Sequence, residues 1–170
     1  KSPINAVDIG ANVGIWTVLL AKHKNVRQVF AFEPSPLNVS LLRTNIELNH
    51  LEEKVVIIES AVADTDGQVR FEDTGSGATK RISQTASSFV SSVSLDSYLN
   101  GAHVDLIKID VEGYEPIVLN GSWNTIEATM PTLFIEYSLP QVFAAGLTWK
   151  TAGERLCNLY GKYTVITDAG

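Results

Sequence analysis

VDIGANVG, residues 7–14, is the stretch whose reading decides the fold. It closes an apolar run, Ile4 to Ile9, and opens a segment, 13–22, in which Val13, Trp16, Thr17 and Leu20 recur at helical spacing. Strand, glycine-bearing turn and helix follow one another without a gap. Glycine allows the sharp turn and lets backbone approach a ligand with no Cβ in the way. Gly10 and Gly14 are spaced G-x-x-x-G, which departs from the G-x-G-x-x-G of a dinucleotide site. Asp8 and Asn12 add polar groups near the turn, where the amino-acid end of a ligand can be held. Gly14 alone serves close helix–strand packing as readily as ligand contact.

Outward from this turn the pattern repeats. Residues 28–32 form a second apolar run, and Ser35-Pro36 supplies an N-cap and a first-turn proline for a helix reaching about Asn49. Its apolar set is Leu37, Leu41, Leu42, Ile46 and Leu48. A third buried strand spans Val55 to Ile58. Alternating strands and helices of this kind predict an α/β fold with a mostly parallel sheet and helices on both faces.

Between residues 64 and 94 the pattern changes. Thr65-Asp66-Gly67 is a turn signal, and residues 68–72 alternate like an exposed strand. Residues 75–88 are rich in Gly, Ser and Thr, which we read as a solvated connection in preference to a mobile lid. The region is expected to be an inserted hairpin and loop, with a short strand at 90–93 and a helical turn capped by Ser94. Regular alternation then resumes: a fourth main strand at 104–109, a short helix at 115–119 and a fifth strand at 132–135, entered through Pro131. A last helix at 151–160 and a sixth main strand at 163–167 complete the pattern. Neither a repeat nor a linker divides the 170 residues, so a single core domain is expected over 1–170.

A formal net charge of -6 provides no basic footprint for a phosphate backbone, so a nucleic-acid partner is not expected. No apolar stretch approaches the roughly 20 residues of a membrane-spanning helix. Cys157 stands alone, which excludes an internal disulfide, and the first residues lack a secretory pattern; a cytoplasmic protein fits best.

In an open α/β sheet, ligands bind outside the carboxyl ends of the strands, near the point where strand order reverses. The second strand ends in Phe32-Glu33-Pro34, which puts a carboxylate at the crevice about 20 residues after the glycine turn, where it can hold a ribose diol. The third ends in Glu59-Ser60-Ala61, a place for an adenine ring. The fourth and fifth end in Lys108, Asp110, Glu112 and Glu136. Strand alternation puts Lys108 and Asp110 on one face. His23, His50 and His103 fall in helix or loop positions away from these ends.

Together the three first strand ends resemble those of class I methyltransferases. SAVADTDG (60–67), VSLDSYL (93–99), DLIKIDVEGYE (105–115), VLNG (118–121) and PTLFIEY (131–137) narrow the resemblance to the FkbM family, DLIKIDVEGYE most specifically. This resemblance implies a Rossmann-like fold that binds S-adenosylmethionine and methylates a hydroxyl of a small molecule, sugar or natural product. Residue by residue, it implies that Gly10, Asn12 and Gly14 line the methionine part, Glu33 the ribose, and Ser60 with Ala61 the adenine, with Asp8 supporting the turn. Class I enzymes usually finish with a seventh, antiparallel strand, for which this chain has no room.

An alcohol is a poor nucleophile until it loses its proton. We therefore expect Asp110 at the junction of donor and acceptor, Glu112 or Glu136 as proton acceptor, and Lys108 orienting these acids; an ion pair closing a strand end accounts for Lys108 and Glu136 equally well. Asp110 and Glu136 lack an obvious third ligand for a divalent cation, and no metal is expected. Two rival classes remain: an NAD-dependent oxidoreductase and a nucleotide-binding module without catalysis.

Overall fold

The computed structural model describes residues 2–73, 80–82 and 86–166. Strand β1 (Ile4–Ile9) is buried from Ala6 onward on both faces, which explains why its sequence reads as a run and not as an alternation. Helix α1 (Ile15–Lys22) returns the chain to β2 (Val26–Phe32), and α2 (Pro36–Leu48) returns it to β3 (Val55–Ile58). Ser35 caps α2 by accepting from the Asn38 amide, and Pro36 occupies the first turn, where a missing N–H costs nothing. The chain then makes β4 (Ala61–Val62), β5 (Gly67–Asp73), β6 (Lys80–Ile82), β7 (Ser88–Val93) and α3 (Leu95–Leu99) before entering β8 (Leu106–Ile109). Helices α4 (Glu115–Asn120) and α5 (Trp123–Thr129) lead to β9 (Thr132–Ile135), followed by α6 (Leu139–Ala144) and α7 (Lys150–Tyr160).

The main sheet has the order β3-β2-β1-β8-β9, with every pair parallel. Chain order runs outward in one direction from β1 to β3 and in the other through β8 to β9. The reversal therefore lies between β1 and β8, whose register places Asp8 opposite Lys108. Period-2 alternation sends Val7, Ile9, Ile107 and Ile109 into one core with Leu119, Trp123 and Ile126, whereas Ala6, Val29 and Ala31 pack with Ala21, Leu42 and Ile46 on the other side. Each fully buried Leu or Ile contributes about 1.5–3 kcal/mol over an exposed one.

The inserted region forms a sheet of its own, with order β4-β7-β5-β6. Strand β5 runs antiparallel to β6 and β7, as expected of a hairpin, while β4 runs parallel to β7. Part of the expected Gly/Ser/Thr-rich connection is thus strand, at 80–82 and at Ser88; residues 74–79 and 83–85 lie outside the described residues.

Two expectations need correction. Residues 163–166 form no strand: Tyr163, Val165 and Ile166 are 79%, 71% and 77% exposed, and no main-sheet strand pairs with them. Alternation gives a strand only where a neighbouring edge takes its backbone groups; Thr167 lies outside the described residues. On α2, Leu37, Leu41 and Leu48 do not join the core, being 55%, 45% and 72% exposed, whereas the polar Asn38 is buried. Among the described residues no helix is long and apolar enough to cross a membrane.

Candidate functional site

The loop after β1 is folded over the end of β2. The amides of Gly10 and Ala11 both donate to the carbonyl of Phe32, each at 3.0 Å, and the Gly14 amide donates to the Ala11 carbonyl at 2.9 Å. Gly10 has φ +77°, and a Cβ there would lie 1.9 Å from the Asp110 carbonyl oxygen. Only glycine lets the ends of β1 and β8 come this close. The loop therefore commits these amides to the protein, and at Gly10 it offers a ligand bare backbone with no side chain. Gly14 packs elsewhere: its Cα faces Leu42, whose Cδ1 would be 2.4 Å from an added Cβ.

Glu33 organises the second strand end. Its Oε2 accepts from the Asn12 amide at 2.8 Å, and its Oε1 accepts from the Ser35 amide at 2.9 Å and from Asn38 Nδ2 at 3.3 Å. One carboxylate thus fixes the glycine loop and the start of α2, while remaining at the wall of the crevice. The buried Asn38, placed by α2, is a partner that apolar periodicity on the helix gave no reason to choose.

Beneath the glycine loop lies a charged row. Asp8, fully buried, accepts from Thr17 Oγ1 at 2.6 Å and pairs with Lys108 Nζ at 3.1 Å. Lys108, 3% exposed, also lies 3.3 Å from Asp110 Oδ2 and donates to the Gly10 carbonyl at 3.0 Å. Its ammonium joins both strand ends, donating to the Gly10 carbonyl and pairing in charge with the carboxylates of Asp8 and Asp110.

Residues 110–113 fold into a loop held from behind. The Glu115 carboxylate, 1% exposed, accepts from the amides of Val111 and Gly113 at 3.2 and 3.1 Å. Burial pushes its proton affinity above the ordinary carboxylate value, against the opposing pull of those amides. Sequence reading takes Glu115 only as a helix-start acid; it does start α4, and it also shapes this loop. Gly113, at φ +99°, packs against the backbone of Gln141 in α6, and Gln141 Nε2 donates to Glu112. Glu136, held by its amide to the Ile109 carbonyl at 2.9 Å, stands beside Asp110. Burial first, then the neighbouring charge of Asp110 and a hydrogen bond with it, raise the Glu136 carboxyl to about 7. Such a bond between two carboxyl groups needs a shared proton.

A cavity of about 460 Å³ connects these strand ends. Gly10, Asn12, Glu33, Ser60, Ala61, Lys108, Asp110 and Glu112 all border it. Asp8, Gly14 and Glu136 do not: Asp8 lies under the glycine loop, Gly14 faces α2, and Glu136 stands behind Asp110. Trp16, Leu37, Leu41, Phe71 and Ile82 also border the cavity, the last two reaching it from the second sheet. His23, His50 and His103 are exposed and do not border it. Among the described residues no group of three or more His, Cys, Asp or Glu side chains is placed to hold a metal ion.

A family model described as the Methyltransferase FkbM domain matches residues 8–156, which contain the glycine loop, Glu33 and the whole 105–115 motif. The chain belongs to the FkbM methyltransferase family. An FkbM methyltransferase from Methylobacillus flagellatus superposes with a TM-score of 0.66 at 17% identity, covering 95% of this chain and 39% of that one. A precorrin-6y C5,15-methyltransferase from Geobacter metallireducens superposes with a TM-score of 0.51 at 12% identity, covering 86% of this chain and 60% of that one. Both establish the class I, Rossmann-like fold. Among curated proteins, the hexuronic acid methyltransferase AglP of Haloferax volcanii is 27% identical over 126 residues, 71% of this chain and 51% of AglP. The FkbM domain described here therefore spans about half of that relative.

Proposed function

We propose that this FkbM domain is an S-adenosylmethionine-dependent O-methyltransferase acting on a hydroxyl of a sugar or other small natural product. The observation that carries the reading is the charge of the cavity. Glu33, Asp110 and Glu112 border it, and among the described residues the one bordering cation, Lys108, is committed to Asp8, Asp110 and the Gly10 carbonyl. Such a lining favours a ligand carrying positive charge and opposes a dinucleotide's diphosphate. It supports a sulfonium nucleoside over NAD.

The residues present fit that cofactor. Gly10 and Asn12 would face its methionine portion, Glu33 its ribose hydroxyls, and Ser60 with Ala61 its base. When bound, S-adenosylmethionine supplies an electrophilic methyl carbon on sulfur. The protein's own contribution is to align an acceptor oxygen and take its proton. Asp110 lies at the cavity end of β8, and Glu136 behind it, with a carboxyl near 7, is suited to take that proton through Asp110 at neutral pH. Glu112, on the same loop, is the second candidate. Lys108 holds Asp110 and the glycine loop in register and is a positioning residue. The likeness to a hexuronic acid methyltransferase supports a sugar acceptor.

Calorimetric titration with S-adenosylhomocysteine and with NAD tests the cofactor assignment. One molecule of S-adenosylhomocysteine per chain is expected to bind, and Glu33→Ala to weaken it roughly 10- to 100-fold through lost charged hydrogen bonds. Tighter binding of NAD, or no binding of S-adenosylhomocysteine, overturns the proposal.

A further inference from the structure

Two leucines on α2 are hard to account for by folding alone. Leu37 and Leu41 lie one turn apart on the same face, 55% and 45% exposed, while Leu42 and Ile46 fill the core side of the helix. Both border the cavity from the helix that follows β2, across β1 from the β8 end that carries Asp110 and Glu112. Phe71 of β5 and Ile82 of β6 border the same cavity from the second sheet. These two are directly paired across the antiparallel ladder, so their side chains share one face of that sheet. Phe71 is 5% exposed and Ile82 is partly buried. Val62 completes the apolar lining, with Ser60 as its polar member.

We infer that the inserted sheet is the outer wall of a nucleobase subsite, in which the Phe71–Ile82 cross-strand pair and the Leu37–Leu41 pair together hold the faces of a purine. The inference rests on the donor reading above and deepens it. A purine presents apolar faces and a polar rim, and it matches a slot with aliphatic and aromatic walls; the carboxylates of Glu33 and Asp110 border the same cavity. The slot also gives a role to β6, which lies in a stretch read as a solvated connection. Without the insertion, the base end of the cavity would have Leu37 and Leu41 on α2 and no apolar wall supplied by β5 and β6.

The test uses the whole chain and two probes, S-adenosylhomocysteine and 5′-methylthioadenosine, the latter lacking the amino-acid portion. Ile82→Ala and Leu41→Ala change side chains that are partly exposed and should leave the unfolding midpoint of the ligand-free chain in place. Each is expected to weaken both probes by the same factor, roughly 5- to 20-fold, because only base contacts are lost. Hydrogen exchange on the unsubstituted chain reads the same contact independently: amides of β5 and β6 should exchange more slowly with S-adenosylhomocysteine bound. If the chain binds S-adenosylhomocysteine but Ile82→Ala binds it within twofold and exchange in β5 and β6 is unaltered, the wall assignment is wrong and the donor reading stands. If the unsubstituted chain binds neither probe, the donor reading fails and the wall assignment falls with it.

Discussion

At Gly10 the chain has room for a hydrogen and for nothing larger, because the Asp110 carbonyl occupies the space a Cβ would need. Gly10→Ala should therefore destabilise the fold by at least about 2 kcal/mol, combining left-handed strain with the clash, and abolish S-adenosylhomocysteine binding; denaturant unfolding and calorimetry check the two effects. Lys108→Met should cost about 3–5 kcal/mol, because it leaves the fully buried Asp8 without its cation. Denaturant unfolding at neutral pH measures that loss. Glu136 makes a pH prediction of unusual sign. Its folded carboxyl titrates near 7 and its unfolded one near 4.5, so the folded state holds the proton more tightly. The stability this contributes is complete below about 4.5 and is lost as pH rises to about 7, whereas proton acceptance by Glu136 becomes available over the upper part of that range. Glu136→Gln should flatten the pH dependence of stability in this window and remove the rise in methyl transfer through about pH 7, with S-adenosylhomocysteine affinity retained. A variant whose rate still rises through that range would move the base to Glu112. At this scale Glu33 could be read from its place at a strand end followed by proline. The exposure of Leu37 and Leu41 could not, since a leucine facing a cavity and a leucine facing the core have the same helical period.

Elements were legible where their signals are local. Ser35-Pro36 announces α2 and Ser94 announces α3, and both serine side chains accept the expected amide bonds. Helix α5 also has a serine, Ser122, at its N-cap, but that hydroxyl donates to the Val118 carbonyl at 2.6 Å and caps nothing. Its N-terminal amides at Asn124 and Thr125 donate to the Asp96 carboxylate at 3.1 and 2.7 Å, from α3, 28 and 29 residues upstream. A cap supplied from another helix has no sequence pattern to find. Asp96→Ala should lower stability by about 1 kcal/mol, read from the unfolding midpoint, without altering ligand affinity. The second sheet was half legible for a similar reason. The 67–73 strand alternates and follows a turn signal, but β6 exists only through pairing with β5, in a stretch whose composition is that of a loop. Residues 163–166 show the converse, alternation with no partner strand.

For the whole molecule, the parallel sheet and its crevice follow from the succession of buried runs and helical spacings. The strand order β3-β2-β1-β8-β9 puts the reversal beside the very loop that the glycines mark. What sequence did not disclose is that Glu115 also shapes the 110–113 loop and that Glu33 braces the glycine loop as well as bordering the cavity. Asp8 and Glu115 are buried supports, Glu33 both supports and borders the cavity, and Asp110 and Glu112 border it, a distinction set by which way each side chain is held. The surplus of acids, which counts against nucleic acid when read as composition, becomes an argument for a cationic ligand once Asp110, Glu112 and Glu33 share one cavity. A crystal structure of the chain with S-adenosylhomocysteine tests that claim most directly. The account predicts the ligand in this cavity, ribose hydroxyls on Glu33, amino-acid portion over Gly10 and sulfur toward Asp110. Density for the ligand at any other place, with the cavity between Glu33 and Asp110 empty, would contradict it.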